Sequence, residues 1–540
     1  MKHPKLLATL FSGVLIASIP PVFAGEVVSA TNSTTSTDAI SSNLSKWWQG
    51  DSATANWFGI AYPLKDYGLT IEGKAKEVFL GQVTPAAQAA SANARSKPTG
   101  EKNIPVDNWS TEVKLNFIYD FGKVFGLNGL SVESDWRYRN VDGNPDCGYT
   151  ATAAGTSGVF NPNKDTSGMG VRIMSQFLQY STDPKSKDPQ FLVKAGWINP
   201  YEDFLTQPES KNFENNAIAS AKGIGGNAYG YTAGYNKKNN PYPVTAVPWG
   251  STYDSWGGML RAKPTAFTYL QSYLGLAIAG YAGTQATPTS GGNYNNHGFN
   301  FQGTAAFNPN DKNQQGKYAY GQNGIYNVNE FGWTPKLGEA KLEGRYAIGN
   351  YIWGQNNNDF GSHSGNATIS GLYLQADQRL TAVRTSAPAA PFLSKNPIDS
   401  KNPVPAAPAS YDKTRGLYTF NEFTYTPAAN NTLPFYFQTG LVYKGLLDAR
   451  PADKTGVALG EGFYSMNQNN TLTKAAGNNG AAGQYKSQYY STTAVIEYFY
   501  DFAINKWLDF VPDAQYIINP TGNGSTGNAA ILGFTIAAKF

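Results

Sequence analysis

The sequence predicts an all-β protein, a 16-stranded antiparallel transmembrane β-barrel of the outer membrane, on three observations. The first is the last eleven residues, Ala530 to Phe540. Ala538, Ile536, Phe534 and Leu532 alternate with Lys539, Ala537, Thr535 and Gly533, giving an apolar face, a small or polar face and an aromatic carboxy-terminus. As the edge of a soluble sheet this strand invites aggregation; in a barrel, lipid covers the apolar face and the first strand closes the edge. The second is the return, from Leu69 onward, of segments of about ten alternating residues, some with several charges on one face. The third is composition. Charged residues make up only 15%, against about 25% in ordinary soluble domains, while Gly (57), Tyr (34) and Phe (29) are abundant. A core strand of a soluble sandwich is the alternative for the last strand taken alone.

At the start, Lys2 and Lys5 precede an apolar run from Leu6 to Ile19, and Val22-Phe23-Ala24 offers a small-residue cleavage site. Residues 1–24 thus form a secretory signal peptide, too short to span a membrane in the mature protein, which starts near Gly25. Losing Lys2 and Lys5 takes the formal net charge from +4 to +2, a near-neutral balance with no electrostatic footprint for nucleic acid. Beyond that point no apolar stretch reaches the roughly eighteen residues of a membrane helix. The mean hydropathy of −0.40 fits alternating strands. Residues 25–68 are a short N-terminal segment whose Ser/Thr-rich run, Ser29 to Ser45, is expected to be disordered or loosely attached. The barrel itself covers 69–540.

The predicted strands are 69–80, 110–121, 130–139, 171–181, 190–198, 255–263, 267–280, 325–334, 339–353, 366–381, 415–426, 434–446, 456–466, 486–502, 512–519 and 530–540. The third is the clearest. Val132, Ser134, Trp136 and Tyr138 interleave with Glu133, Asp135, Arg137 and Arg139, and four charges on one strand face belong in a water-filled lumen, not in an apolar core. The second alternates Val113, Leu115 and Phe117 with Glu112, Lys114 and Asn116. The ninth sets Leu342 and Tyr346 against Lys341, Glu343 and Arg345. Long connections follow strands one, three, five and seven and short ones follow strands two, four, six and eight, as external loops and periplasmic turns should. The long loop after strand five is a candidate to fold inward and narrow the pore. One stretch breaks the pattern: the Ala/Pro-rich Thr385 to Ser410 follows strand ten and falls on the periplasmic side, unless the count slips by one there. Trp109, Trp197, Trp256, Trp333 and Trp353 fall at or beside strand ends, where an interfacial girdle would sit.

The residues of catalysis are scarce. His3 leaves with the signal peptide, and His297 and His363 sit in predicted loops, so a Ser-His pair on rigid elements is not expected. Cys147 stands alone in a loop-like run, where it is read as a tolerated residue with no internal partner for a disulfide. No Cys/His spacing suits a metal, and Gly223-x-Gly225-Gly226 lacks the strand-to-helix context of a nucleotide site. Glu133 and Asp135 share their face with Arg137 and Arg139 and read better as lumen charge than as a glycosidase pair. The expectation is no enzyme, no cofactor and no metal.

Several C-terminal segments carry a resemblance. They are Gly416-Leu417-Tyr418-Thr419-Phe420, Gly440-Leu441-Val442-Tyr443-Lys444-Gly445-Leu446, Arg450-Pro451-Ala452-Asp453, and Trp507 to Pro520 with its Pro512-Asp513-Ala514-Gln515-Tyr516 and Asn519-Pro520. With weaker similarity back to Trp57-Phe58-Gly59 and Leu69, the chain resembles the carbohydrate-selective porin (OprB) family. Ala514 departs from the usual Leu of that signature, and the Thr385–Ser410 insertion is not a family feature. The resemblance implies an outer-membrane barrel for passive, carbohydrate-selective diffusion of small sugars. The candidate pore-lining residues are Glu133, Asp135, Arg137, Arg139, Lys341, Glu343 and Arg345, with generic lumen solvation as the alternative role for each. Expected partners are small sugars, outer-membrane lipid and the barrel-assembly machinery acting through the C-terminal strand, with a homo-oligomer left open and no nucleic acid. The alternatives are a general or differently selective porin on the same barrel, and a surface adhesin, for which no fixed-period repeat is found.

Overall fold

The computed structural model describes residues 45–58, 60–84, 107–141, 160–164, 170–186, 188–219, 255–277, 299–300, 324–357, 367–385, 410–427, 433–464, 491–520, 522 and 527–540. The predicted signal peptide, nearly all of the Ser/Thr-rich run, Cys147, His297, His363, Gly223 to Gly226 and the interior of the Thr385–Ser410 insertion lie outside the described residues.

Sixteen long strands follow one another in chain order: β1 Leu69–Gln82, β2 Asp107–Asp120, β3 Leu130–Val141, β4 Gly170–Ser181, β5 Phe191–Ile198, β6 Ser255–Thr265, β7 Thr268–Ala277, β8 Gly324–Trp333, β9 Leu342–Asn357, β10 Ala367–Arg379, β11 Gly416–Tyr425, β12 Phe435–Lys444, β13 Lys454–Phe463, β14 Thr492–Ala503, β15 Leu508–Ile518 and β16 Ala529–Lys539. Each pairs antiparallel with its chain neighbours, for example Glu112↔Arg139 between β2 and β3 and Glu330↔Gly349 between β8 and β9. β16 pairs antiparallel with β1, Phe534 facing Phe79 and Lys539 facing Lys74, so the sheet closes on itself and no edge is left.

The count and the order match the sequence prediction; several strand ends do not. β15 was expected to begin at Pro512 but starts four residues earlier, at Leu508. The β14–β15 register runs unchanged from Phe499↔Asp513 to Phe502↔Phe510, skipping the position of Pro512, whose nitrogen has no hydrogen to donate. β9 begins at Leu342, which leaves Lys341 in the preceding turn with a φ of +50°. The even-numbered strands end in short turns, such as 266–267 and 504–507. The Thr385–Ser410 insertion follows β10, and its two described ends stand at that same end. Its base is a two-residue ladder, Arg384↔Tyr411 and Thr385↔Ser410. The Arg379 guanidinium holds it there by donating to the carbonyls of Thr381, Asp412, Lys413 and Arg415.

Burial is inverted relative to a soluble protein. Leu260, Phe331, Ile348, Leu374, Phe423, Leu441, Ile496 and Leu532 are exposed on the outside, while Glu330, Glu422, Gln438 and Glu497 on the inward positions are at most 2% exposed. Only an apolar medium outside makes that distribution favourable. Trp109 and Trp256 at the long-loop end and Trp333 at the turn end are exposed near strand termini. The Trp197 and Trp256 rings are 5.9 Å apart, and the Trp353 side chain lies outside the described residues. One outward row is polar: Ser272, Asn329 and Asn350 face one another across β7, β8 and β9. There Ser272 donates to Asn329 (2.7 Å), Asn329 to Asn327 (2.6 Å) and Asn327 to the Tyr273 carbonyl (2.9 Å), so these polar groups meet their needs on the sheet itself.

Candidate functional site

Residues 199–219, directly after β5, turn back into the barrel and are strapped across its lumen. This is the inward fold expected of the long loop after strand five. The strap is made by backbone groups meeting side chains of the wall. The Glu497 carboxylate on β14 accepts the N–H groups of Glu214 and Asn215, the latter at 2.9 Å. Asn215 donates to Gln515 on β15 (2.9 Å), and Gln515 donates to the Pro162 carbonyl (2.9 Å), which ties the 160–164 segment into the same layer. Lys76 on β1 pairs with Glu214 at 2.6 Å. The Phe213 ring inserts edge-on between Phe499 (4.8 Å) and Phe420 (5.7 Å). Across the lumen Arg345 donates to the Thr206 carbonyl (3.1 Å), Gln271 to the Asp203 carbonyl (2.9 Å) and Lys444 to Glu209 (2.6 Å). A segment held from so many strands cannot swing freely; it narrows the channel as a fixed part of the wall.

Beside this strap lies a cavity of about 620 Å³. Glu72 and Lys74 of β1, Lys114 and Asn116 of β2, Glu133, Asp135 and Arg137 of β3, and Lys194 of β5 face it, with Glu202 and Asp203 from the strap. Several of its charged groups are already matched. Arg137 bridges Asp135 (2.9 Å) and Glu202 (3.0 Å), Lys194 meets Asp203 at 2.8 Å, and Asn116 donates to Glu133 at 3.2 Å. Burial pushes the Glu202 carboxyl up, but Arg137, with Lys211 and Lys114 behind it, outweighs that and holds it at about 2. The Glu202 side chain is 48% exposed, so the neighbouring cations govern its state.

The seven residues singled out in the sequence therefore part company. Glu133, Asp135 and Arg137 line this cavity together. Arg139, one step along the same inward face, is buried against Glu112 and stays in the wall. Arg345 belongs to a separate buried cluster, reaching Glu330 (2.8 Å), Asp377 (3.1 Å), Gln375 (2.9 Å) and the Tyr269 hydroxyl (2.8 Å). Glu343 is exposed at the start of β9, and Lys341 is exposed in the turn before it. Sequence reasoning passed over Lys194 and Glu330. Lys194, a lone cation in Phe191-Leu192-Val193-Lys194-Ala195, carried a signal, since no apolar wall tolerates it unpaired. The strap residues carried none, because a loop has no period from which to read direction.

The chain is similar to known proteins. Porin B of Pseudomonas aeruginosa is 26% identical over 231 residues, 38% of this chain and 44% of that protein, so the match spans less than half of the relative. A solved structure of Pseudomonas putida OprB at high pH superposes with a TM-score of 0.64 at 19% identity, covering 91% of this chain and 99% of that one, a likeness of fold. The low-pH structure of the same protein gives a TM-score of 0.46 at 17% identity, over 91% of this chain and 99% of that one. The model of the carbohydrate-selective porin, OprB family, matches residues 177–540, from β4 through the closing strand, and the chain belongs to that family.

Proposed function

We propose that this outer-membrane barrel passes small neutral sugars by passive diffusion, past a constriction formed by residues 199–219. The observation that carries the reading is the cavity beside the strap, where the wall cations Arg137 and Lys194 are already matched with carboxylates of the wall and the strap. Paired charges offer donors and acceptors to hydroxyl groups while presenting little net field to an ion. Weak, multiple hydrogen bonding also lets a sugar leave, which a tight site would prevent. Glu133, Asp135 and Arg137 are the wall residues proposed to meet the solute. The chain is read as a conduit that does no covalent chemistry, and its C-terminal strand as the segment offered to the barrel-assembly machinery. Reconstitution into liposomes tests the reading: sugar flux well above that expected from the single-channel ion conductance supports it. Flux that simply follows conductance for sugars and salts alike favours a general porin.

A further inference from the structure

One leucine of the strap is held in a left-handed conformation. The residues before it close a tight turn, in which the Glu202 N–H donates to the Asn199 carbonyl (3.2 Å) and the Phe204 N–H to the Pro200 carbonyl (2.9 Å). Leu205 then takes a φ of +51°, a conformation that usually ends such a turn on glycine, because a Cβ is penalised there. What a glycine could not supply is the side chain. Leu205 is 1% exposed and, with Phe204 before it, packs into an apolar cluster of Met259, Tyr273, Val328, Tyr351 and Tyr373 from strands β6 to β10. An extended chain sends successive side chains to opposite sides, so burying both in one cluster takes a turn of this kind.

Just before the turn stand the two strap carboxylates that face the cavity. Glu202 meets Arg137 (3.0 Å) and Asp203 meets Lys194 (2.8 Å). Donors of the opposite wall fix the backbone around Leu205: Gln271 to the Asp203 carbonyl (2.9 Å), Arg345 to the Thr206 carbonyl (3.1 Å) and the Gln207 amide to Asp377 (2.9 Å). The strap is thus suspended between two walls, with the Leu205 side chain seated in one and the Glu202 and Asp203 carboxylates on cations of the other. The same apolar cluster includes Phe177 and Ile198, and the Lys194 ammonium lies 4.8 Å from the Phe177 ring. A carboxylate moved off its cation would leave Arg137 or Lys194 without that partner at the cavity, and a cation so released draws anions.

We infer that Leu205 is a positioning residue for selectivity: its left-handed turn, seated in the β6–β10 cluster, aims Glu202 and Asp203 at the cations of the cavity. The inference rests on the reading of that cavity as part of the passage. The test is the chloride-to-potassium permeability ratio, read from the reversal potential of the reconstituted full chain in a potassium chloride gradient. Glu202→Gln combined with Asp203→Asn should raise the ratio by at least about twofold, since Arg137 and Lys194 lose charged partners. Leu205→Ile keeps the apolar volume but adds a branch at Cβ that resists a positive φ, and should raise the ratio in the same direction. Leu205→Met, unbranched at Cβ, should stay near wild type. Added to the Glu202→Gln and Asp203→Asn pair, Leu205→Ile should change the ratio no further. An unchanged ratio in the Glu202→Gln and Asp203→Asn variant overturns the reading of the cavity as the passage, and the inference with it. A shift there, beside a wild-type ratio in Leu205→Ile, an equal shift in Leu205→Met or a further shift in the triple variant, overturns the role of Leu205 alone. If Leu205→Ile gives no heat-modifiable barrel, Leu205→Val, also β-branched and smaller, replaces it under the same criteria.

Discussion

Arg137 and Arg139 stand two residues apart on one face of β3, yet their neighbours give them different work. Arg137 pairs with Glu202 of the strap, whereas Arg139 is held within the wall against Glu112. Arg137→Ala is expected to shift ion conductance or sugar flux in a barrel that still folds. Arg139→Ala should leave transport near wild type and lower stability by up to about 3–5 kcal/mol, the usual cost of removing one partner of a buried ion pair, less what Lys114, also on Glu112 at 3.1 Å, retains. Midpoints of heat modification read beside bilayer currents separate the two, and identical currents for Arg137→Ala and wild type would remove Arg137 from the pore lining. The Arg137–Glu202 contact also has a pH signature. The folded carboxyl sits at about 2, below its ordinary value of 4.5, so its contribution is present above the ordinary value and is lost as pH falls toward 2. Wild-type conductance should therefore carry no step from this pair between neutrality and about pH 4.5. Glu202→Gln should already differ at pH 7, and a variant indistinguishable from wild type there would count against the pairing.

At the scale of elements, the strap depends on a few anchors that satisfy backbone groups, and Glu497 serves two adjacent N–H groups at once. Glu497→Ala should loosen residues 214–215, giving a larger and noisier single-channel conductance with the barrel still assembled. Quiet openings of wild-type size would show that Phe213, wedged between Phe420 and Phe499, holds the strap without it. The Thr385–Ser410 insertion follows an even-numbered strand, and Arg379 binds its base at the turn end. A cysteine placed at Ser400 in a Cys147→Ser background should resist membrane-impermeant thiol reagents on intact cells and react once the outer membrane is opened. Labelling of intact cells would reverse the orientation assigned to the barrel.

For the whole molecule, closure is the decisive event, since sixteen strands without the β1–β16 pairing would leave two long unpaired edges in lipid. Phe540 extends that seam by one residue, its backbone bonded both ways to Gly73 and its ring lying over that glycine. Phe540→Ser should lower the yield of heat-modifiable barrel without changing synthesis of the chain. A yield equal to wild type would make the terminal ring dispensable for closure.

The sequence alone determined the class of fold, the number of strands and the side faced by residues of its clearest strands. Alternation with a period of two is a local property, and lipid outside with water inside selects for it residue by residue. Glu133, Asp135 and Arg137 were legible for that reason, as were the exposed tryptophans near strand ends. Even the misplaced start of β15 was a local error of four residues, at a proline through which the sheet continues. Tertiary structure alone decided which inward charges meet. Arg345 finds Glu330 and Asp377, Lys194 finds Asp203, and Glu497 receives a loop nearly three hundred residues away in sequence (|i−j| = 283). The inward fold of the loop after β5 could be anticipated from its length, but not its path, because the strap has no periodicity and takes its shape from the walls that bind it. The left-handed turn at Leu205 was equally out of reach, since only the assembled wall supplies the apolar cluster that seats its side chain.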